Sequence, residues 1–178
     1  MGNEQRQITV FGSGSIKEGS NRWKEASEVG FLLAGAGFVV VNGGYGGSML
    51  ASAKGAKAAG GRTIGVTTNE FRGSVKNEFI DREVRKRTWR VRLFELIELG
   101  DGFLFLDGGM GTLTELSVVL EVRNKGFHAK PIVILGRQMQ SLVDFLKQNP
   151  EMLIPKDLYH ASNPKDAVQR LVKYFRHV

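Results

Sequence analysis

Phe103-Leu104-Phe105-Leu106-Asp107-Gly108-Gly109-Met110-Gly111-Thr112-Leu113-Thr114-Glu115 is the stretch that decides how this chain folds. An unbroken apolar run meets three glycines, and an amphipathic run follows. The pattern predicts a buried strand, a tight turn and the start of a helix. Glycines at such a bend let main-chain N–H groups approach a ligand closely. The helix start adds unpaired N–H donors and a partial positive charge, which together stabilise an anion such as phosphate. Glu115 is expected in the first helical turn, beside that anion. A carboxylate there is electrostatically awkward unless it serves chemistry or structure.

The same alternation runs through the rest of the chain. Apolar strands are predicted over residues 8–11, 38–41, 63–66, 102–106 and 131–135, with a short extended piece over 158–160. Helices are predicted over 20–34, 48–59, 81–99, 113–125, 139–148 and 165–176. Residues 68–80 are polar and irregular. Continuous apolar strands alternating with helices mark a parallel sheet covered on both faces. The expected fold is therefore α/β: a Rossmann-like, doubly wound parallel sheet in three layers, forming one domain over residues 1–178. In such sheets ligands bind beyond the carboxyl ends of the strands, where strand order reverses. Glycine-rich loops at 12–15, 43–47 and 108–111 end three of the strands and can face one crevice.

The composition narrows the functional classes. The chain has 178 residues, a net charge of +7 and no cysteine. Disulfides, thiolate metal sites and cysteine nucleophiles are excluded, in keeping with a reducing compartment. The opening residues lack the apolar core of a signal peptide, and the longest apolar stretch, 31–41, is glycine-broken and too short to span a bilayer. A cytoplasmic protein is expected. The basic residues are scattered and match no nucleic-acid-binding motif, so their surplus is read as an attraction for small anions.

No segment completes Gly-x-Gly-x-x-Gly. Lys17 and Thr114 stand where the third glycine belongs, and Asn42 replaces the acid that would hold a ribose in a dinucleotide enzyme. No Gly-Lys-Ser/Thr occurs, so a P-loop is excluded. A monophosphate or another small anion is the class left open. Gly108, Gly109, Gly111 and Thr112 form one candidate cradle. Gly43, Gly44, Gly46 and Gly47, with Ser13, form the other side. Two readings of Glu115 stand at this point. It is a site acid, or it closes a capping box with Thr112. The basic residues of 81–99 read as a solvated helix face around a buried Trp89, with Arg85 and Arg92 seven apart on one side. His128, His160 and His177 lie too far apart to suggest metal ligation.

These residues carry a resemblance. Asp107 to Glu115 is similar to the PGGxGTxxE motif of the LONELY GUY (LOG) proteins, phosphoribohydrolases of cytokinin riboside monophosphates that are often mislabelled lysine decarboxylases. The loop at 42–48 and the run Gly60-Gly61-Arg62-Thr63-Ile64-Gly65-Val66 also resemble the molybdenum-cofactor carrier proteins. The similarity spans about residues 8–136. It implies a Rossmann-like fold, a homodimer and hydrolysis of the N-glycosidic bond of a nucleoside 5′-monophosphate; no metal site is visible in the sequence, and no cofactor is expected. It assigns catalysis to Glu115 and to an arginine that falls on Arg92. The family has Arg-Lys there; this chain has Arg92-Leu93, with Arg85-Lys86 one heptad earlier. Asp107 replaces the motif's proline and is expected to bring a negative charge near the phosphate. The alternative implied by the carrier resemblance is non-catalytic binding of a nucleotide or phosphorylated cofactor.

Overall fold

The computed structural model describes residues 5–177. The first four residues, part of the segment read above as lacking a signal, lie outside the described residues. Seven strands form one sheet: β1 (Gln7–Phe11), β2 (Val39–Asn42), β3 (Thr63–Thr68), β4 (Arg82–Lys86), β5 (Gly102–Phe105), β6 (Ile132–Ile134) and β7 (Tyr159–His160). Their order is β4-β3-β2-β1-β5-β6-β7, and every pairing is parallel. Six helices cover it: α1 (Asn21–Gly35), α2 (Ser48–Ala58), α3 (Trp89–Leu99), α4 (Met110–Asn124), α5 (Arg137–Leu146) and α6 (Pro164–Arg176). This is the doubly wound, three-layer α/β architecture expected from the pattern.

Side-chain alternation along the strands builds two separate cores. Ile8, Val10, Val40, Leu104, Leu106 and Val133 pack with α1, α2 and α6. Phe11, Val39, Val41, Phe103, Phe105, Ile132 and Ile134 pack with α3, α4 and α5. The chain starts mid-sheet at β1, winds outward to β4, and returns beneath the second face through α3 to place β5 beside β1. Strand order therefore reverses between β1 and β5, and the loops leaving these two strands diverge. That divergence opens a crevice at their carboxyl ends.

The expected helix over 81–99 is two elements. Residues 82–86 form the edge strand β4, and Thr88, in extended conformation, caps α3 by accepting from the Val91 N–H. A charged strand suits a sheet edge, where long polar side chains discourage further pairing. Its Glu-Val-Arg-Lys composition fits a helix equally well, which is why periodicity misassigned it. Arg85 and Arg92 consequently share no face, and Trp89 is 40% exposed instead of buried. The break also ends the expectation of a continuous basic helix.

α1 and α2 pack with their backbones close together. A Cβ on Gly30 would strike the Ser52 main chain, and one on Gly55 would strike that of Ser27. Both are helix-interior glycines, so the contact outweighs a helix-propensity loss of about 1 kcal/mol each. Gly30→Ala is expected to cost on the order of 1–3 kcal/mol by overpacking. Gly35→Ala, at a position with open space around it, should leave stability unchanged or raise it. Urea unfolding of both variants tests this. A Gly30→Ala protein as stable as the wild type would remove the contact as the reason for the glycine.

Candidate active site

Three loops meet at the β1–β5 crevice and are tied to one another through the main chain. The Ser13 N–H donates to the Asp107 carbonyl at 3.2 Å, and the Ser48 N–H donates to the Ser13 carbonyl at 2.8 Å. Gly47 adopts φ +62°, and a Cβ there would overlap the Ser13–Gly14 backbone. The glycines of 43–47 thus let the loop after β2 nest against the loop after β1. Arg22 from α1 clamps the assembly by donating to the Asp107 carbonyl at 2.6 Å.

α4 begins at Met110 with Gly109 as its N-cap, and no side chain caps it. Thr112 is therefore the third helical residue and Glu115 the sixth. The expected capping box does not form, and Glu115 lies beyond the first turn. The free N–H donors at the start of α4 face a cavity of about 320 Å³. Gly109 and Gly111 line it, and a Cβ at either would meet open space. Neither glycine is required by contacts within the chain. Gly108 differs: Thr112 packs directly over it, and Thr112 is buried.

Arg92 enters from α3 and is only 5% exposed. Its Nε–H donates to the Val66 carbonyl at 2.7 Å, and an Nη2–H donates to the Gly43 carbonyl at 3.0 Å. Its guanidinium carbon lies 5.4 Å from the ring centres of both Tyr45 and Phe71. A Cβ on Gly43 would occupy the guanidinium's place. Tyr45 is itself fixed, since its hydroxyl donates to the Thr68 carbonyl at 3.1 Å and accepts from the Thr68 N–H at 2.8 Å.

Glu115 lines the cavity across from Arg92. No hydrogen bond joins the two among the described residues. Both Arg92 hydrogen bonds go to main-chain carbonyls, and burial raises the Glu115 carboxyl to about 7 against a lowering pull from Arg92. Burial wins because the attraction acts through space without a contact hydrogen bond. Asp107 also departs from expectation. Its Oδ1 accepts from the N–H groups of Gln138 at 2.9 Å and Met139 at 3.1 Å. The carboxylate caps α5, whose own N-cap is Gly136, and does not crowd the anion cradle. Leu93 is buried in the second core. Arg85 pairs with Glu83 at 3.0 Å, away from Glu115.

Of the residues singled out from sequence, Ser13, Arg92, Gly109, Gly111, Thr112 and Glu115 line the cavity together. Gly43, Gly44, Gly46 and Gly47 shape the loops behind it. Gly12, Gly14 and Ser15 line it too, as expected of the 12–15 loop, whereas Tyr45, Met49, Phe71 and Trp89 also line it and were not singled out for the site. Tyr45, set between glycine pairs, and Phe71, an aromatic in an irregular polar segment, carried a signal that was available. Among the described residues, no group of three or more His, Cys, Asp or Glu could hold a metal ion.

Fold and site together define an α/β protein with an uncapped helix start, a buried arginine and a cavity acid at its switch point. The profile of the SLOG cluster4 family matches residues 5–168, and the chain belongs to that family. It is 33% identical over 129 residues to an uncharacterized protein of Archaeoglobus fulgidus, covering 72% of this chain and 83% of that one. It is 37% identical over 117 residues to a Mycobacterium tuberculosis protein named cytokinin riboside 5′-monophosphate phosphoribohydrolase, covering 62% and 60%. A rice protein with the same name, marked probable, is 34% identical over 144 residues, covering 79% and 62%. The match thus spans about three fifths of each of these two relatives. Among solved structures, the molybdenum cofactor binding protein of Rippkaea orientalis superposes with a TM-score of 0.78 at 24% identity, covering 98% of this chain and 99% of that one. The molybdenum cofactor carrier protein of Chlamydomonas reinhardtii gives 0.73 at 23%, covering 97% and 99%. These two likenesses establish the shared fold.

The raised carboxyl makes stability depend on pH. A group whose folded pKa lies above its unfolded value contributes stability that is present below the unfolded value, 4.5, and lost as pH rises through about 7. Glu115→Gln mimics the protonated form. It should match the wild type near pH 4.5 and exceed it by up to about 3 kcal/mol at pH 8.5. Urea unfolding at the two pH values measures the gap. A gap that does not change with pH would mean that the carboxyl is fully solvated.

Proposed function

We propose that this protein hydrolyses the N-glycosidic bond of a nucleoside 5′-monophosphate, of the cytokinin riboside monophosphate or adenosine monophosphate type. The products are free base and ribose 5-phosphate. One observation carries the reading: Glu115, an acid without a hydrogen-bonded partner among the described residues, faces the same cavity as the uncapped start of α4. The names of the bacterial and rice relatives support it.

In this reading the 5′-phosphate rests on the N–H groups of Met110, Gly111 and Thr112, with the Ser13 hydroxyl opposite. Arg92 adds positive charge below it. The base lies toward Tyr45, Phe71 and Trp89, whose rings offer stacking surfaces. As the bond from C1′ to the base nitrogen stretches, positive charge grows on the ribose. The Glu115 carboxylate stabilises that charge and takes a proton from the attacking water. The water oxygen bonds to C1′, the bonding pair leaves with the base, and the base nitrogen gains a proton from solvent. A carboxyl that titrates near 7 also tempers the repulsion between an acid and a neighbouring phosphate. A homodimer in the cytoplasm completes the proposal. Val91, Phe94 and Met110, all about half or more exposed beside the site, supply an apolar surface for the pairing.

Release of base from a panel of nucleoside monophosphates, followed by chromatography, is the test. Hydrolysis is expected, with kcat/KM rising through about pH 7 as Glu115 loses its proton. Glu115→Gln should lower kcat by about 100-fold or more while keeping nucleotide affinity. Wild-type rates in that variant would overturn the assignment. Tight binding without turnover across the panel would instead favour the carrier reading. The observation on that side is that Arg92 is held by main-chain carbonyls and does not touch Glu115.

A further inference from the structure

A second cavity of about 220 Å³ lies behind the aromatic wall of the first. Tyr45 and Phe71, with ring centres 5.8 Å apart, line both. The second cavity sits at the carboxyl ends of β3 and β4, roofed by the helix-free connection between them. Its charged lining is Arg72, Lys76, Arg85 and Glu83, three cations and a single carboxylate. Glu83 is already committed: one of its oxygens accepts from the Thr67 hydroxyl at 2.6 Å and from Arg85 at 3.0 and 3.2 Å. These bonds hold its carboxyl below the usual range, the Thr67 hydroxyl contributing most. They fix Arg85 through Nε and one terminal nitrogen at the cavity rim, where its side chain is 61% exposed. Lys76 donates to the carbonyls of Asn77 and Ile80, which orients its ammonium. Arg72 makes no ion pair among the described residues. The cavity walls are otherwise polar, including the buried Thr67 and Thr68. A cationic surplus facing a roofed polar cavity is a site for an anion.

The order along the crevice gives this surplus a meaning. The start of α4 comes first, then Glu115 and Arg92, then the Tyr45–Phe71 wall, then the second cavity. We infer that the ligand carries a second anionic group, a carboxylate or phosphate lying beyond the Tyr45–Phe71 wall and held by Arg72, Lys76 and Arg85. This rests on the nucleoside monophosphate reading above and narrows its substrate class. The second anion has two chemical sources. It is carried on the base as a carboxylate substituent, or on the ribose as a second phosphate.

Calorimetric titration of the full chain at low salt separates the possibilities. The probes are adenosine 5′-monophosphate, the same nucleotide with a succinyl group on its base amine, and adenosine 3′,5′-bisphosphate. At least one doubly anionic probe should bind about tenfold tighter than the monophosphate, and which one does so identifies the source. Arg72→Ala combined with Lys76→Ala, on a surface connection outside both cores, should abolish that advantage and leave monophosphate affinity within about twofold. Equal affinity for all three probes overturns the inference and leaves the monophosphate reading intact. So does an advantage that survives the double substitution. Failure of every probe to bind, with the protein folded by circular dichroism, overturns both.

Discussion

A guanidinium buried without a contacting anion is the constraint on which the site depends. Arg92 is held between the carbonyls of Val66 and Gly43, under two aromatic rings. Its charge is solvated by strand-end dipoles and ring faces in place of water. Such a cation is costly to bury unless its donors are satisfied. Here the loop after β2 and the end of β3 provide the acceptors, so moving either would expose an unsatisfied charge. Among the described residues the one acid lining the cavity with it, Glu115, is itself shifted toward its neutral form by burial. The crevice therefore retains net positive character until an anion enters.

That electrostatic state is made possible by topology. Because strand order reverses between β1 and β5, the loops after these strands turn to opposite faces and leave a gap. α3 and α4 lie on the same face, which is why Arg92 and Glu115 line one cavity although one precedes β5 and the other follows it. The nested glycines close the gap behind them. Gly43 makes room for the guanidinium, and Gly47 lets two loops touch at the main chain. The uncapped start of α4 is left facing the opening.

The layers and strand order class were legible in the sequence because continuous apolar runs between amphipathic segments have few other interpretations. What escaped was local. Residues 82–86 satisfy helix and strand periodicity alike, and only the capping role of Thr88 separates them. Asp107 read as a charge near the anion cradle, yet its carboxylate caps α5, a choice set by a helix start 30 residues downstream. Glu115 read either as a site acid or as the end of a capping box, and the helix start at Met110 removes the box. Sequence spacing places two groups on one face but says nothing of whether their donors are already spent. The aromatic wall was missed for the same reason: Tyr45, Phe71 and Trp89 come from three segments that only the folded chain assembles.

The connection from β3 to β4 has no covering helix and contributes only Ile80 to the buried apolar interior. It nevertheless supplies Phe71 to one cavity and Arg72 and Lys76 to the other. Recognition and folding are thus written in different parts of this chain. Drift in a dozen surface residues can reshape both cavities while the floor formed by Arg92 and Glu115 and both hydrophobic layers stay as they are. Relatives that share this scaffold but diverge along that segment would then accept different molecules.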